Sequence, residues 1–291
     1  MRAMMSEESK PVPGLPALGH DAHKRTRGRV LVIAGSRGMG GAARLAARGA
    51  LAAGAGLVEL AVPESIRDEC VAEAAVMVRG QRETMQGSFA FAALPALRRA
   101  LSGGGAVVLG PGLGRHEDTL ALARRLVMDA PLSMVVDADA LSALAGSDSP
   151  SVHPRIFTPH AGEAARILGS TAEAVQAARE RSVLELQQRL GGVVVLKGHG
   201  TLICDGRRVV VNPSGHAGLA RGGTGDVLAG VLGALLAAGM DLMSAAELGV
   251  FLHGLAAEKA RPAHEARSLT LDELLVAIPS AMAALPPPSP R

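Results

Sequence analysis

Ala217-Gly218-Leu219-Ala220-Arg221-Gly222-Gly223-Thr224-Gly225-Asp226 runs straight into the apolar stretch Val227-Leu228-Ala229-Gly230-Val231-Leu232-Gly233-Ala234-Leu235-Leu236. Three glycines surround one small hydroxyl residue, a carboxylate follows, and a buried helix begins. A helix start leaves backbone N–H groups without partners, and the helix dipole adds positive potential there. The result is an anion site, and phosphate is the usual anion. Glycine lets the anion approach the backbone, where a bulkier residue would hold it off. Asp226 stands awkwardly beside such a site, because it repels an anion. An ordinary first-turn Asp is one reading. The sharper one is a general base that takes a proton from a hydroxyl as that oxygen attacks a phosphoryl group.

Outward from this stretch, short apolar runs alternate with helical ones. Arg29 to Ala34, Leu57 to Val62, Ala106 to Leu109, Met134 to Val136, Ile156 to Thr158 and Val193 to Leu196 read as buried strands. Helices are expected at Ala42 to Ala53, Ser65 to about Ala75, Phe89 to Leu101 (interrupted at Pro95) and Thr119 to Met128. Others are expected from Glu163 to Leu168, over Ala172 to Leu190, from Ala245 to Ala260 and from Leu271 to Leu285, the last capped by Thr270. Gln81 to Ser88 is polar and reads as a loop. Asp205-Gly206 between Thr201 to Cys204 and Arg208 to Val211 signals a hairpin. The alternation predicts a three-layer α/β/α sandwich on a mainly parallel sheet. Residues 1–26 are expected to form a flexible arm, 27–285 one catalytic domain, and 286–291 a frayed tail.

Composition narrows the function. The chain of 291 residues is 48% hydrophobic but only 1% aromatic, so its core is built from Ala, Val, Leu and Ile. Lack of aromatics argues against nucleic-acid readers that stack bases on rings. A net charge of +3 without long basic runs suits small anions and indicates no nucleic-acid partner. Cys70 and Cys204 lie far apart with no paired spacing, which fits a reducing compartment. The polar N-terminus lacks a signal segment and no apolar run spans a bilayer, so a cytoplasmic protein without membrane contact is expected.

Other candidate site residues end the strands. Gly35-Ser36-Arg37-Gly38-Met39-Gly40-Gly41 does not fit the GxGxxG dinucleotide fingerprint. Gly110-Pro111-Gly112-Leu113-Gly114 follows a buried strand, at the sheet edge where α/β proteins bind ligands. Asp137 and Asp139 could bind a metal or substrate hydroxyls, or cap the next helix. His160 and Glu163 face one cleft, where Glu163 can hold a hydrated Mg2+ near phosphates. Lys197 beside glycines is a candidate phosphate partner, with a solvated lysine as the competing reading.

The ordered motifs resemble the ADP/ATP-dependent NAD(P)H-hydrate dehydratases of the ribokinase-like superfamily, from about His23 to Glu258. Those motifs are His23-Lys24, Gly28 to Ser36, Gly41-Ala42-Ala43, Ala53 to Val58, Gly110 to Gly114, Asp137 to Leu141, Thr158 to Glu163, Leu196-Lys197-Gly198 and Gly222 to Asp226. The resemblance implies repair of hydrated NADH or NADPH. Asp226 would deprotonate the ring hydroxyl as it attacks a nucleotide phosphoryl group, with N–H groups of Gly223, Thr224 and Gly225 stabilising the charge. Phosphate would then leave. The donor implied is ADP, giving AMP, with ATP as the other option. Lys197, Gly198, His199, Gly200, Thr201 and Gly225 would contact the nucleotide; Ala42, Gly112 or Gly114, His160 and Asp226 would contact the hydrate. Glu163 matches the superfamily's metal-organising Glu. The sequence departs from the family pattern at Leu219, Arg221 and His216, where Met, a small or hydroxyl residue, and Asn are usual; Arg221 could add a phosphate contact. Many members carry a fused epimerase; about 28 residues before the first strand are too few for one, so a separate epimerase is expected as functional partner. A homo-oligomer, typically a tetramer, is implied as well. The alternatives are a hydroxyethylthiazole- or hydroxymethylpyrimidine-type kinase and a silent nucleotide-binding module; retention of Asp226 disfavours the latter.

Overall fold

A computed structural model describes residues 12–19, 23–71, 75–146 and 150–286. Its strands are β1 (Arg29–Ile33), β2 (Leu57–Pro63), β3 (Val76–Gln81), β4 (Ala106–Leu109), β5 (Ser133–Val136), β6 (Arg155–Phe157), β7 (Val193–Leu196), β8 (Leu202–Cys204) and β9 (Val209–Val211). They form one sheet in the order β3-β2-β1-β4-β5-β6-β7-β8-β9. Every neighbouring pair from β3 to β7 is parallel; β8 and β9 add an antiparallel hairpin.

The helices in chain order are α1 (Gly40–Ala52), α2 (Arg67–Cys70), α3 (Leu94–Leu101), α4 (Glu117–Asp129), α5 (Asp139–Ser142), α6 (Ala161–Leu168), α7 (Ala172–Ala177), α8 (Arg179–Leu190), α9 (Thr224–Ala237), α10 (Leu242–Ala260) and α11 (Leu271–Ala283). Side chains alternate through the strands, so each strand feeds two cores. Val30 and Val32 point to the layer of α1, α9, α10 and α11; Leu31 and Ile33 point to the layer of α3 to α8. Both faces are covered, which is why the strands read as unbroken apolar runs. No helix among the described residues is long and apolar enough to cross a membrane.

Small residues replace aromatics as packing material. A Cβ on Gly230 of α9 would lie 2.0 Å from the Ala46 carbonyl oxygen of α1, so the two backbones touch there. This close contact seats α9 over the sheet and carries its N-terminus to the carboxyl edge.

The expected sandwich is present, with corrections at its margins. No strand was expected between the helix ending near Ala75 and the loop from Gln81, but β3 lies there as an edge strand whose Met77 and Arg79 face outward, so it lacks the apolar run of the central strands. The helix expected from Ser65 is a 3₁₀ turn at Glu64–Ile66 followed by α2, and residues 72–74 lie outside the described residues. Pro95 does not interrupt a helix; it sits in the first turn of α3, where its missing N–H removes no bond. The helix expected over Ala172 to Leu190 breaks at Ala178, whose N–H already closes α7 on Ala174 and Val175. Of the expected arm and tail, residues 1–11, 20–22 and 287–291 lie outside the described residues, and residues 12–19 form no helix or strand.

Arg155 is fully buried without a carboxylate partner among the described residues. It donates to the carbonyls of Val127 (2.9 Å), Ala130 (2.6 Å), Leu132 (2.8 Å) and Pro154 (3.0 Å), closing the C-terminal end of α4 against β6. Burial pulls its guanidinium down to about 10. Arg155→Leu should lower unfolding free energy by roughly 3 kcal/mol, because it orphans buried acceptors. A denaturant midpoint shifted by the equivalent of under about 1 kcal/mol would contradict this account of the α4 end.

Candidate active site

α9 begins in an unusual way. Its N-cap, Gly223, has φ +94, and a Cβ there would meet Leu45 and Leu271 at 2.8 Å, so glycine is required on both counts. Thr224 turns its hydroxyl back onto the carbonyls of Leu219 (2.8 Å) and Arg221 (2.9 Å), closing the loop before the helix. Its N–H lies 3.5 Å from the Arg221 carbonyl. The helical ladder starts at Val227, whose N–H bonds Gly223, while the N–H groups of Gly225 and Asp226 take no backbone partner among the described residues. An anion fits those orphan donors.

Lys197, directly after β7, brings a second positive group to the same place. A Cβ on Gly225 would lie 3.4 Å from its Nζ. Nζ bonds Asp137 Oδ1 at 2.7 Å and stands 3.8 Å from Glu163 Oε2; the side chain is only 19% exposed. Burial opposes the ammonium, but Asp137 and Glu163 outweigh it and hold its pKa above the usual lysine value.

Asp226 sits half-buried in the first turn of α9. Burial raises its carboxyl to about 7, with Asp137 the next contributor and Lys197 opposing. A carboxylate of that basicity is suited to take a proton near neutral pH.

Next to this cluster lies a cavity of about 600 Å³. Lys197, Gly198, His199, Gly200 and Thr201 line one side, Thr224 and Gly225 another, and Leu219, Leu228, Val250 and His253 an apolar part. The expected nucleotide residues are thus brought together. Arg179, the first residue of α8, holds their loop by donating to the carbonyls of Leu196 (3.0 Å), Lys197 (3.3 Å) and Gly200 (3.4 Å). Sequence reading missed Arg179, because a basic residue on a charged helix carries no local signal. His253 was noted only as part of a helix; it is buried, its Nε2 has no partner among the described residues, and burial holds its imidazole down to about 4, hence neutral.

Ala42, Gly112 and Gly114 cluster at the ends of β1 and β4. A Cβ on Gly112 would lie 3.0 Å from that of Ala42. Ser36 donates to the Gly112 carbonyl at 2.9 Å, and Asp139 accepts from the Gly114 N–H and from Arg115 Nε, each at 3.0 Å. Asp139 is therefore engaged in holding this loop. His160 lines the cavity and also caps α6: its Nδ1 accepts from the N–H groups of Gly162 (3.0 Å) and Glu163 (3.3 Å). Glu163 completes the capping box by accepting the His160 N–H at 2.8 Å. Among the described residues no group of three His, Cys, Asp or Glu side chains converges as a metal cage. Buried Glu163 suits a cation whose other ligands come from phosphates and water.

A profile of the NAD(P)H-hydrate dehydratase family matches residues 30–280. The chain belongs to that family. It is 38% identical over 248 residues to the ADP-dependent (S)-NAD(P)H-hydrate dehydratase of Xanthomonas campestris, covering 84% of each chain. It is 42% identical over 265 residues to a bifunctional NAD(P)H-hydrate repair enzyme of Coxiella burnetii, covering 90% of this chain but 52% of that one. The chain thus spans about half the length of such bifunctional relatives. Among solved structures, the ADP/ATP-dependent NAD(P)H-hydrate dehydratase of Bacillus subtilis, co-crystallized with ATP/Mg2+, superposes with a TM-score of 0.80 at 30% identity, covering 94% of this chain and 95% of that one. The ribokinase-like expectation stands with it.

The structure also accounts for two departures from the family pattern. His216 bonds the carbonyls of Ala257 (3.1 Å) and Arg261 (3.0 Å) through Nε2 and accepts the Gly218 N–H (3.0 Å), tying the loop to the end of α10. Arg221 donates to the Leu269 carbonyl at 2.6 Å and borders the cavity.

Ala138, between the two Asp residues, is the one non-glycine described residue with positive φ (+50). Such a conformation costs about 1–3 kcal/mol. Ala138→Gly should therefore raise unfolding free energy by about 1 kcal/mol after the extra chain entropy of glycine. Thermal unfolding checks it; a lower midpoint would show that the methyl packs favourably.

Proposed function

We propose that this chain dehydrates hydrated NADH and NADPH, using a nucleotide as phosphoryl donor. The observation that carries the reading is the meeting of three groups at one end of the cavity: the Lys197 ammonium, the orphan N–H groups of α9 and the basic Asp226 carboxylate. An ammonium placed against a helix N-terminus is repelled by the dipole unless an anion joins them. Phosphate is such an anion, and Asp226 supplies the base that phosphoryl transfer to a hydroxyl needs.

The nucleotide occupies the cavity between Lys197–Thr201 and Gly225, its base against Leu219, Leu228 and Val250. The hydrate lies toward Ala42, Gly112, Gly114 and His160, with its ring hydroxyl at Asp226. Asp226 takes the hydroxyl proton as the oxygen bonds to the terminal phosphorus and the bond to the leaving phosphate oxygen breaks. N–H groups at Gly223, Thr224 and Gly225 face the developing charge; of these only that of Thr224 meets a backbone acceptor among the described residues, at 3.5 Å. The phosphorylated ring then loses phosphate and a proton from the adjacent carbon, restoring the dihydronicotinamide. Phosphorylation replaces hydroxide, a poor leaving group, by a good one. The relative in Xanthomonas campestris is named ADP-dependent, so ADP is the proposed donor and AMP the product.

Asp137, Glu163 and Asp226 outnumber Lys197 in charge, so a free nucleotide anion would meet net repulsion. Mg2+ bound to the phosphates would neutralise that charge, with Glu163 as the nearby carboxylate. The Bacillus subtilis relative was co-crystallized with ATP/Mg2+, which supports this.

Hydrated NADH with Mg2+ and ADP, and separately ATP, should recover dihydronicotinamide absorbance, with AMP formed from ADP. No recovery with either nucleotide would refute the reaction. Asp226→Asn should cut turnover by about two to four orders of magnitude while nucleotide binding persists; unchanged turnover would remove Asp226 as the base. In the free enzyme the base must be ionised and its carboxyl is held at about 7. kcat/KM should therefore fall as pH drops below about 7 and level off above it.

A further inference from the structure

We propose that Asp137 is the positioning residue of the phosphoryl site: it holds the Lys197 ammonium beside Gly225, so that amine and helix N-terminus act on one anion. This rests on the phosphoryl-transfer reading above and adds a residue that binds neither substrate.

The geometry carries the argument. Asp137 ends β5 and is 1% exposed. Its Oδ1 accepts from Lys197 Nζ at 2.7 Å and from the Thr158 hydroxyl at 2.7 Å. Thr158, itself buried just after β6, thus donates to the same oxygen and orients the carboxylate. The lysine backbone is fixed separately, its N–H bonding the Pro159 carbonyl at 2.8 Å. The strained Ala138 is a second, independent sign, because positive φ in a non-glycine residue persists only where its surroundings over-determine it.

Electrostatics says why a holder is needed. Burial and the α9 dipole both disfavour an ammonium at this position. The charged or titratable groups around it are Asp137 after β5, Glu163 and His160 at the start of α6, Asp226 on α9 and His253 on α10. Of the carboxylates, Asp137 makes the direct bond and Glu163 stands at 3.8 Å. Without Asp137 the amine would lose its one direct bond to a carboxylate and would be free to swing out.

Two readouts test this. Acetylation of Lys197 by acetic anhydride at pH 8, followed by mass spectrometry, needs no substrate. Asp137→Asn should acetylate at Lys197 at least fivefold faster than the native chain. Turnover in a double-mutant cycle tests coupling. Asp137→Asn should lower kcat/KM for ADP about a hundredfold in the native background, and less than twofold when Lys197 is already Met. If Asp137→Asn does not fold, Thr158→Val removes the orienting hydroxyl and keeps the charge; it should shift both readouts the same way, by a smaller factor. Unchanged acetylation, or losses that multiply independently, would overturn the proposal. A native chain inactive on hydrated NADH would instead overturn the functional reading, and acetylation would still decide the role of Asp137.

Discussion

Two positive ends point at each other where the Lys197 ammonium meets the start of α9, and burial removes the water that would screen them. Left alone, that pair would separate. Asp137 and Glu163 hold the amine in place and the α1–α9 backbone contact holds the helix. Burial, and after it Asp137, raise the Asp226 carboxyl to about 7, with Lys197 opposing. Asp137 thus acts on both the amine and the neighbouring carboxyl.

The aromatic-poor composition connects to this site through packing. Helices that touch backbone to backbone must carry Gly and Ala at the contact, as at Gly230 and Ala46. Long apolar side chains then fill the remaining volume between helices and sheet. Such a contact has little freedom to slide, so the N-terminus of α9 keeps its place relative to β7. Precise placement matters because a misplacement of about 1 Å can cost a hundredfold in rate.

Much of this was legible in the sequence, for identifiable reasons. Central strands buried on both faces give continuous apolar runs, and the glycines before Asp226 announce a backbone open to an anion. The motif order also pointed to the family. What escaped notice depends on distance in space. β3 is an edge strand that exposes Met77 and Arg79, so it carries no unbroken apolar run. Arg155 and Arg179 bind carbonyls, a role that any surface arginine could have in a sequence. Asp137 was visible as a strand-end carboxylate, but its bond to Lys197 joins residues 60 positions apart. No local pattern could distinguish a lysine partner from a metal ligand there.

The two Asp residues around Ala138 show why the distinction matters. Their side chains diverge: Asp137 goes to Lys197 and Thr158, Asp139 to Gly114 and Arg115. A relaxed extended strand would place neighbours two apart on the same face. The turn at Ala138 breaks that periodicity, and its strain accompanies the divergence. One short segment thereby links the loop at Gly112–Gly114 to the amine beside the start of α9. In the proposed reaction, hydrate and nucleotide would have to meet within bonding distance for a phosphoryl group to pass between them. A rigid connection between the two binding regions is what that transfer requires.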